Sequence, residues 1–229
     1  MKNEIAGELA LVTGAGTGIG KAIAVRLAQL GCDVVLVGRT VSKLEATAAE
    51  VRAHGREAYP MACDLTDADA IERLVADVER EHSRLDVLVN NAGVLVSKRL
   101  EDTTTDELDA ILKTNVRAPY ILCREIVNIC SVVAHTGYPL QSAYAASKHA
   151  LLGMSESLSR EVYGEGIRVH VISPGGVLTE MIGEARPDLV GTPMIVPDDI
   201  ADAVEFFLTH RTDGVVDEIR LHRSTKAPF

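Results

Sequence analysis

Thr13-Gly14-Ala15-Gly16-Thr17-Gly18-Ile19-Gly20 is the stretch on which the reading of this chain turns. Before it, Glu8-Leu9-Ala10-Leu11-Val12 is an apolar run of strand length. After it, Gly18 to Leu30 sets Ile19, Ile23, Leu27 and Leu30 along one side of a helix. A glycine-rich turn of this kind also occurs simply as a turn. Between a strand and a helix, however, glycines let the backbone approach a phosphate, and the helix start offers unpaired N–H groups and the positive end of its dipole. The spacing is not GxGxxG, because Ile19 holds the place of the third glycine. It is TGxxxGxG, which puts Gly14, Thr17, Gly18, Ile19 and Gly20 forward as binders of a dinucleotide's pyrophosphate.

Outward from this turn, short apolar runs alternate with longer amphipathic ones. Strands are expected at 33–37, 58–62, 86–90, 126–130, 167–172 and 215–221. Helices are expected at 41–54, closed by Gly55, then from a Thr66 cap to His82, from Thr104 or Thr105 through Asn115, at 142–163, and at 197–209 behind Pro197. Strands apolar on both faces, alternating with helices, predict a mostly parallel sheet covered on both sides. The fold expected is α/β, a single doubly wound Rossmann-type domain over residues 1–229. The least regular stretch, 179–196, is rich in Gly and Pro and follows a strand's carboxyl end. Ligands sit there in such folds, so it is read as a substrate lid.

Composition narrows the function. Among the 229 residues, 23 Lys and Arg face 33 Asp and Glu, a net charge of −10. Nucleic acid and anionic membranes need clustered cations, so neither is expected as a partner. No run reaches the roughly 18 apolar residues of a membrane span. The opening Met1-Lys2-Asn3-Glu4 lacks the apolar run and cleavage site of a signal peptide, and a cytoplasmic location is expected. Cys32, Cys63, Cys123 and Cys130 form no CxxC pair and lie among apolar residues, so they are read as buried small hydrophobes, not disulfides. The histidines lack ligand spacing, and no metal is expected.

A second constellation carries chemistry. Tyr144 and Lys148 stand one helical turn apart and share a face. A phenol, with a pKa near 10, is a poor proton donor and acceptor at neutral pH; an adjacent ammonium stabilises its phenolate and lowers that pKa. Ser131 ends the preceding strand and can hold a substrate oxygen. With the glycine turn, Cys63-Asp64-Leu65, Asn90-Asn91-Ala92-Gly93, Asn115 and Ser173-Pro174-Gly175, these residues stand in an order that resembles the short-chain dehydrogenases/reductases over nearly the whole chain. The likeness is strongest to the group containing 3-oxoacyl-carrier-protein reductases and related carbonyl reductases. The resemblance implies that Tyr144 protonates a carbonyl as hydride arrives from a nicotinamide. It implies that Ser131 polarises that carbonyl, that Lys148 also binds the nicotinamide ribose, and that Asn115 holds a water in a proton relay. It further implies that Asp64 and Leu65 meet the adenine, that Asn91, Ala92 and Gly93 pack beside the cofactor, and that Pro174, Gly175, Val177 and Thr179 meet the carboxamide. A homodimer or homotetramer and a small carbonyl or alcohol substrate follow from the same likeness.

Cofactor choice can be argued from charge. An NAD site places a carboxylate on the ribose at the second strand's carboxyl end. That end reads Gly38-Arg39-Thr40, and Asp33 is at the opposite end. Arg39 could pair with a 2′-phosphate, which favours NADP(H) over NAD(H); Thr17 stands where NADP-preferring relatives often carry a basic residue. The competing reading is a silent member of the fold that binds NADP(H) as a regulator or scaffold, and an epimerase or dehydratase is a third. The pocket is expected from Val94 to Arg99, His135 to Leu140 and the lid, mostly apolar with few fixed charges. That fits an acyl chain, a steroid-like ring or a small ketone equally.

One stretch is too short. Between Asn115 and Ser131 the chain must descend as a helix, reverse, and climb back as a strand. The two advance about 1.5 Å and about 3.3 Å per residue, and no Gly, Pro, Asn or Asp lies between Tyr120 and Ile126. This predicts a stretch of mobile chain left out near Glu125. The alternative, a real deletion, would shorten a helix that the resembled family uses for subunit pairing.

Overall fold

The computed structural model describes residues 5–82, 84–119, 125–189, 191–210 and 214–226, the side chains of Glu125 and Asp188 excepted. Seven strands form one sheet: β1 (Leu9–Thr13), β2 (Asp33–Gly38), β3 (Ala58–Ala62), β4 (Val87–Asn90), β5 (Glu125–Ile129), β6 (Arg168–Pro174) and β7 (Glu218–Leu221). Their order is β3-β2-β1-β4-β5-β6-β7, and every pairing is parallel. The expected "mostly parallel" sheet is thus wholly parallel among the described residues. The helices are α1 (Gly18–Gln29), α2 (Val41–Ala53), α3 (Ala68–Glu81), α4 (Thr105–Leu112), α5 (Ser142–Val162), α6 (Glu180–Ala185) and α7 (Pro197–Thr209).

The alternation along β1 shows why both faces are covered. Ala10 and Val12 turn toward a layer containing Ile23 and Leu27 of α1, Leu44 and Val51 of α2, and Val204 and Phe207 of α7. Leu9 and Leu11 turn the other way, toward Leu74 and Val78 of α3 and Val162 of α5. A strand with no polar face has no stable place except between two helical layers. Arg26 of α1 is clasped by Asp202 and Glu205 of α7, the latter at 2.7 Å, which fixes the two helices together at the rim.

Two local expectations are corrected. The cap of α3 is Asp67, whose Oδ1 accepts from the N–H groups of Asp69 and Ala70. Thr66, expected in that role, instead donates through its N–H and hydroxyl to Asp64 at 2.9 Å each. The last strand begins at Glu218, not near 215. The shortfall of chain predicted near Glu125 falls on residues 120–124, outside the described residues. On its two sides α4 passes into a π-helical turn, Lys113–Arg117, and β5 starts at Glu125, opposite Val87 and Arg168.

A buried polar chain ties α5 to the sheet. The Asn90 amide donates to Asn128 Oδ1 at 2.9 Å, the Asn128 amide donates to Ser155 Oγ at 2.8 Å, and that hydroxyl donates to Leu151 O at 2.7 Å. Asn128 is fully buried. Asn128→Ala would leave an amide and a hydroxyl without their partners in the core. The expected loss is about 2–4 kcal/mol in equilibrium denaturation; a loss below about 1 kcal/mol would show that the chain is not structural.

Candidate active site

In a parallel sheet every strand ends at the same edge, and a crevice opens where the connections diverge to the two faces. Here the divergence lies between β1 and β4. A cleft of about 1420 Å³ runs along that edge, and it gathers residues far apart in sequence: Gly14 to Ile19, Arg39, Asp64, Asn91 to Val94, Ser131, Tyr144, Lys148 and the turn after β6.

The glycine turn is built by close approach. Gly14 and Gly18 have left-handed backbones, at φ +67° and +55°. Thr17 precedes α1 in extended conformation and gives its N–H groups no side-chain cap, so the helix start is open to an anion. Gly14, Thr17, Gly18 and Ile19 line the cleft, whereas Gly20 does not. Gly20 is buried, and a Cβ there would collide with Gly14 O and lie 2.5 Å from Asn91 Nδ2. Its part is to let α1 close on β1, a correction to its expected contact with a cofactor.

Asn91 and Thr13 clamp this turn to β4. The Thr13 hydroxyl accepts from the N–H groups of Asn91 and Ala92, both at 3.0 Å, and donates to Val89 O at 3.3 Å. The Asn91 amide donates back to Thr13 O at 2.8 Å. Asn91, Ala92 and Gly93 therefore form the cleft wall beside the glycines.

At the far end, Arg39 is exposed on the cleft wall with no ion pair among the described residues. Asp33 is spent elsewhere, 2.7 Å from Arg56. Leu65 and Asp64 complete this end; the Thr66 hydrogen bonds, and after them the Arg39 charge, hold the Asp64 carboxyl below its ordinary value.

Ser131, Tyr144 and Lys148 meet on the cleft wall, as their spacing implied. Ser131 Oγ donates to Pro174 O at 3.4 Å. Lys148 Nζ donates to Ile129 O at 2.8 Å and lies 5.8 Å from the centre of the Tyr144 ring. The expected drop in the phenol's pKa is not what the surroundings produce. Burial pushes Tyr144 above its ordinary value, Cys130 adds to the rise, and a hydrogen bond with Ser131 pulls against them. Burial also lowers Lys148. Desolvation outweighs a mutual stabilisation that would need the ammonium at the phenol oxygen.

Asn115 sits in the π-helical turn, a deformation frequent at functional sites. It does not reach the cleft. It is 1% exposed, and its side chain accepts from Val94 N at 2.8 Å and donates to Val94 O and Ser147 Oγ, both at 3.0 Å. The side chain's hydrogen bonds go to protein, and they position Val94 and α5.

The turn Pro174-Gly175-Gly176-Val177 and Thr179 lie on the wall, and Thr179 Cγ2 would stand 3.2 Å from a Cβ on Gly18. Segment 179–196 carries α6 and closes back through Leu178 N to Ile195 O at 2.8 Å. His135 turns away from the cleft to Glu218, at 2.7 Å. The pocket is also less neutral than expected. Glu180, Glu184, Arg186, His222, Arg223 and Lys226 line it. The last three carry no motif in the sequence; only the direction of β7, a parallel strand that ends at the same edge, brings them here. Among the described residues no three His, Cys, Asp or Glu are disposed to hold a metal, and no helix is long and apolar enough to cross a membrane.

The chain matches the short chain dehydrogenase family over residues 8–190. It is 34% identical to a 3beta-hydroxysteroid dehydrogenase of Mediterraneibacter gnavus, over 80% of this chain and 70% of that one. It is 32% identical to the 3-oxoacyl-(acyl-carrier-protein) reductase FabG of Rickettsia bellii, over 93% of each. A metagenomic short-chain oxidoreductase crystallised with NADP superposes with a TM-score of 0.83 at 36% identity, covering 96% of this chain and 98% of that one.

Lys148 yields a test on stability alone. Its folded pKa is depressed, so below the ordinary lysine value the unfolded chain binds the proton more readily. The resulting handicap is absent above that value and grows as pH falls toward the folded one. Lys148→Met, which keeps the length without the charge, is expected to match or exceed wild-type stability at pH 7. Denaturation midpoints should rise in wild type relative to the variant as pH is raised from neutral toward the ordinary lysine value; parallel curves over that whole span, or a clearly less stable variant at pH 7, would contradict this.

Proposed function

The chain belongs to the short chain dehydrogenase family, and on that premise we propose that it is an NADP(H)-dependent oxidoreductase acting on the carbonyl or alcohol group of a small molecule. The observation that carries the reading is the single cleft that holds the open start of α1, the cation Arg39 and the Ser131–Tyr144–Lys148 group together.

The residues present suit a nicotinamide dinucleotide. Gly14, Thr17, Gly18 and Ile19 offer bare backbone and free N–H groups to its pyrophosphate, and side chains on the glycines would fill that cradle. Arg39 offers charge-assisted hydrogen bonds to a 2′-phosphate, and no carboxylate stands at the carboxyl end of β2 to prefer a free ribose hydroxyl. Asp64 and Leu65 flank the adenine, Asn91, Ala92 and Gly93 form the wall, and Pro174, Gly175, Val177 and Thr179 face the carboxamide. The cofactor supplies or accepts the hydride.

The protein supplies orientation and a proton. Ser131 Oγ, which donates to Pro174 O and accepts from Val133 N, both at 3.4 Å, turns to donate to the substrate oxygen. Tyr144 gives its phenolic proton to that oxygen in reduction and takes it back in oxidation. Its raised pKa holds the proton on the phenol, which releases it only as the substrate oxygen develops the charge of a more basic alkoxide. Lys148 holds the ribose and supports the phenolate, Asn115 acts as a positioning residue through Val94 and Ser147, and segment 179–196 serves as the lid.

Tyr144, itself counted among the cofactor-binding residues, loses only its phenolic hydroxyl in Tyr144→Phe, and the ribose contact through Lys148 and the pyrophosphate contacts stay. Turnover should fall by roughly 10² to 10⁴ while NADPH still binds; turnover within about tenfold of wild type would remove the phenol from the acid role. For the cofactor, kcat/KM with NADPH should exceed that with NADH, and Arg39→Ala should erase the difference. Wild-type preference for NADH, or an unchanged ratio in the variant, would refute the role of Arg39.

A further inference from the structure

The segment after β7 brings positive charge to an acidic protein's cleft. β7 ends at Leu221, and the chain passes directly under the turn after β6: a Cβ on Gly175 would lie 3.5 Å from Leu221 O and 3.8 Å from His222 Cα. Arg223 then lies beside the bare backbone of Gly176, its Nε 4.0 Å from where that residue's Cβ would stand. The next turn closes with Lys226 N donating to Arg223 O at 2.9 Å, which returns Lys226 to the same cavity.

Among the described residues these two cations make no ion pair. Arg223 is half-buried and makes one side-chain bond among the described residues, from Nη1 to the Thr192 hydroxyl at 3.4 Å. A guanidinium carries five N–H donors, so most of its capacity is unused. Lys226 has no ion pair among the described residues. Of the two carboxylates that α6 places on the cleft wall, Glu180 is held by Lys43 at 3.0 Å, on the side of α2. Glu184 stands one turn further along. With a net charge of −10, the protein's overall field repels anions, so an anion that enters must be held by local cations.

We infer that the substrate is a carbonyl compound or alcohol bearing an acidic group, a carboxylate or a phosphate, which Arg223 and Lys226 bind at the mouth of the cleft. The inference rests on the oxidoreductase reading above and adds to it the substrate's charge. Arg223 offers the planar fork that matches either oxyanion, and Lys226 adds a flexible point charge. Thr192 links this arm to the segment over the cleft, so an anion seated on Arg223 also touches what covers it.

The test separates binding from turnover. Levulinate and longer oxo-carboxylates are each compared with their methyl esters, and dihydroxyacetone phosphate with dihydroxyacetone. Dissociation constants are measured on the NADPH complex, and kcat and KM in the assay, for wild type, Arg223→Gln and Lys226→Gln. Expected is at least about tenfold tighter binding of the carboxylate, the phosphate ester, or both, over the neutral counterpart. Arg223→Gln should remove most of that preference by raising Kd and KM for the acid alone, and Lys226→Gln a smaller part. Equal binding of acids and neutral counterparts, or a preference unchanged in Arg223→Gln, would overturn the inference. A loss of NADPH affinity in Arg223→Gln as large as the loss for the acid would do the same, by assigning the arm to the cofactor. Acid-selective binding without turnover of any carbonyl would leave the arm's role standing and refute the oxidoreductase reading instead.

Discussion

The site depends on the clamp between Thr13 and Asn91. A parallel sheet that sends its connections to opposite faces opens a crevice at the carboxyl ends of β1 and β4, just past the last rung of their ladder, Val12 opposite Val89. The Thr13 hydroxyl takes two N–H groups from β4's end and gives one bond to Val89 O, and the Asn91 amide returns a bond to Thr13 O. That reciprocity sets how far the edge opens. Gly20 then has to be glycine, because α1 presses against the clamped strand at a distance where no side chain fits. The open helix start, the wall of Asn91 to Gly93 and the crevice width all follow from it.

A second constraint governs Tyr144 and Lys148. Tyr144 and Lys148 ride on α5, and α5 is located by the buried chain through Asn90, Asn128 and Ser155 on one side and by Asn115 and Ser147 on the other. Buried polar networks are costly when incomplete and rigid when complete. The phenol and the ammonium are therefore held in place in an environment that disfavours their charged forms. Burial at this place costs stability, because it raises the Tyr144 phenol and lowers the Lys148 ammonium from their ordinary values.

Much of this was legible in the sequence. Apolar runs without a polar face fixed the layers, and α7 and β3 match the expected spans because Pro197 and the flanking turns leave no latitude. Ser131, Tyr144 and Lys148 were legible because a one-turn spacing and a strand end dictate their direction. Other features were not. Thr66 and Asp67 are both good caps, and only the competing bond to Asp64 decides between them. Asn115 reads as a residue with a free amide until Val94 and Ser147 are seen to occupy it. Arg223 and Lys226 lie in a short polar tail whose composition says nothing; their place follows from the direction of β7. The phenol's pKa depends on burial depth, which spacing does not encode.

The clasp between α1 and α7 has a consequence for how the chain matures. Helix α1 is synthesised well before α7, yet the face it buries is completed by residues 197–209, and Arg26 waits for Asp202 and Glu205. β1 likewise needs β4, more than 70 residues later. Through most of synthesis the glycine turn exists without the partners that shape it, and an early Rossmann half-sheet exposes the apolar flank of α1. Cofactor encountered before then meets no finished crevice, so loading is tied to completion of the sheet.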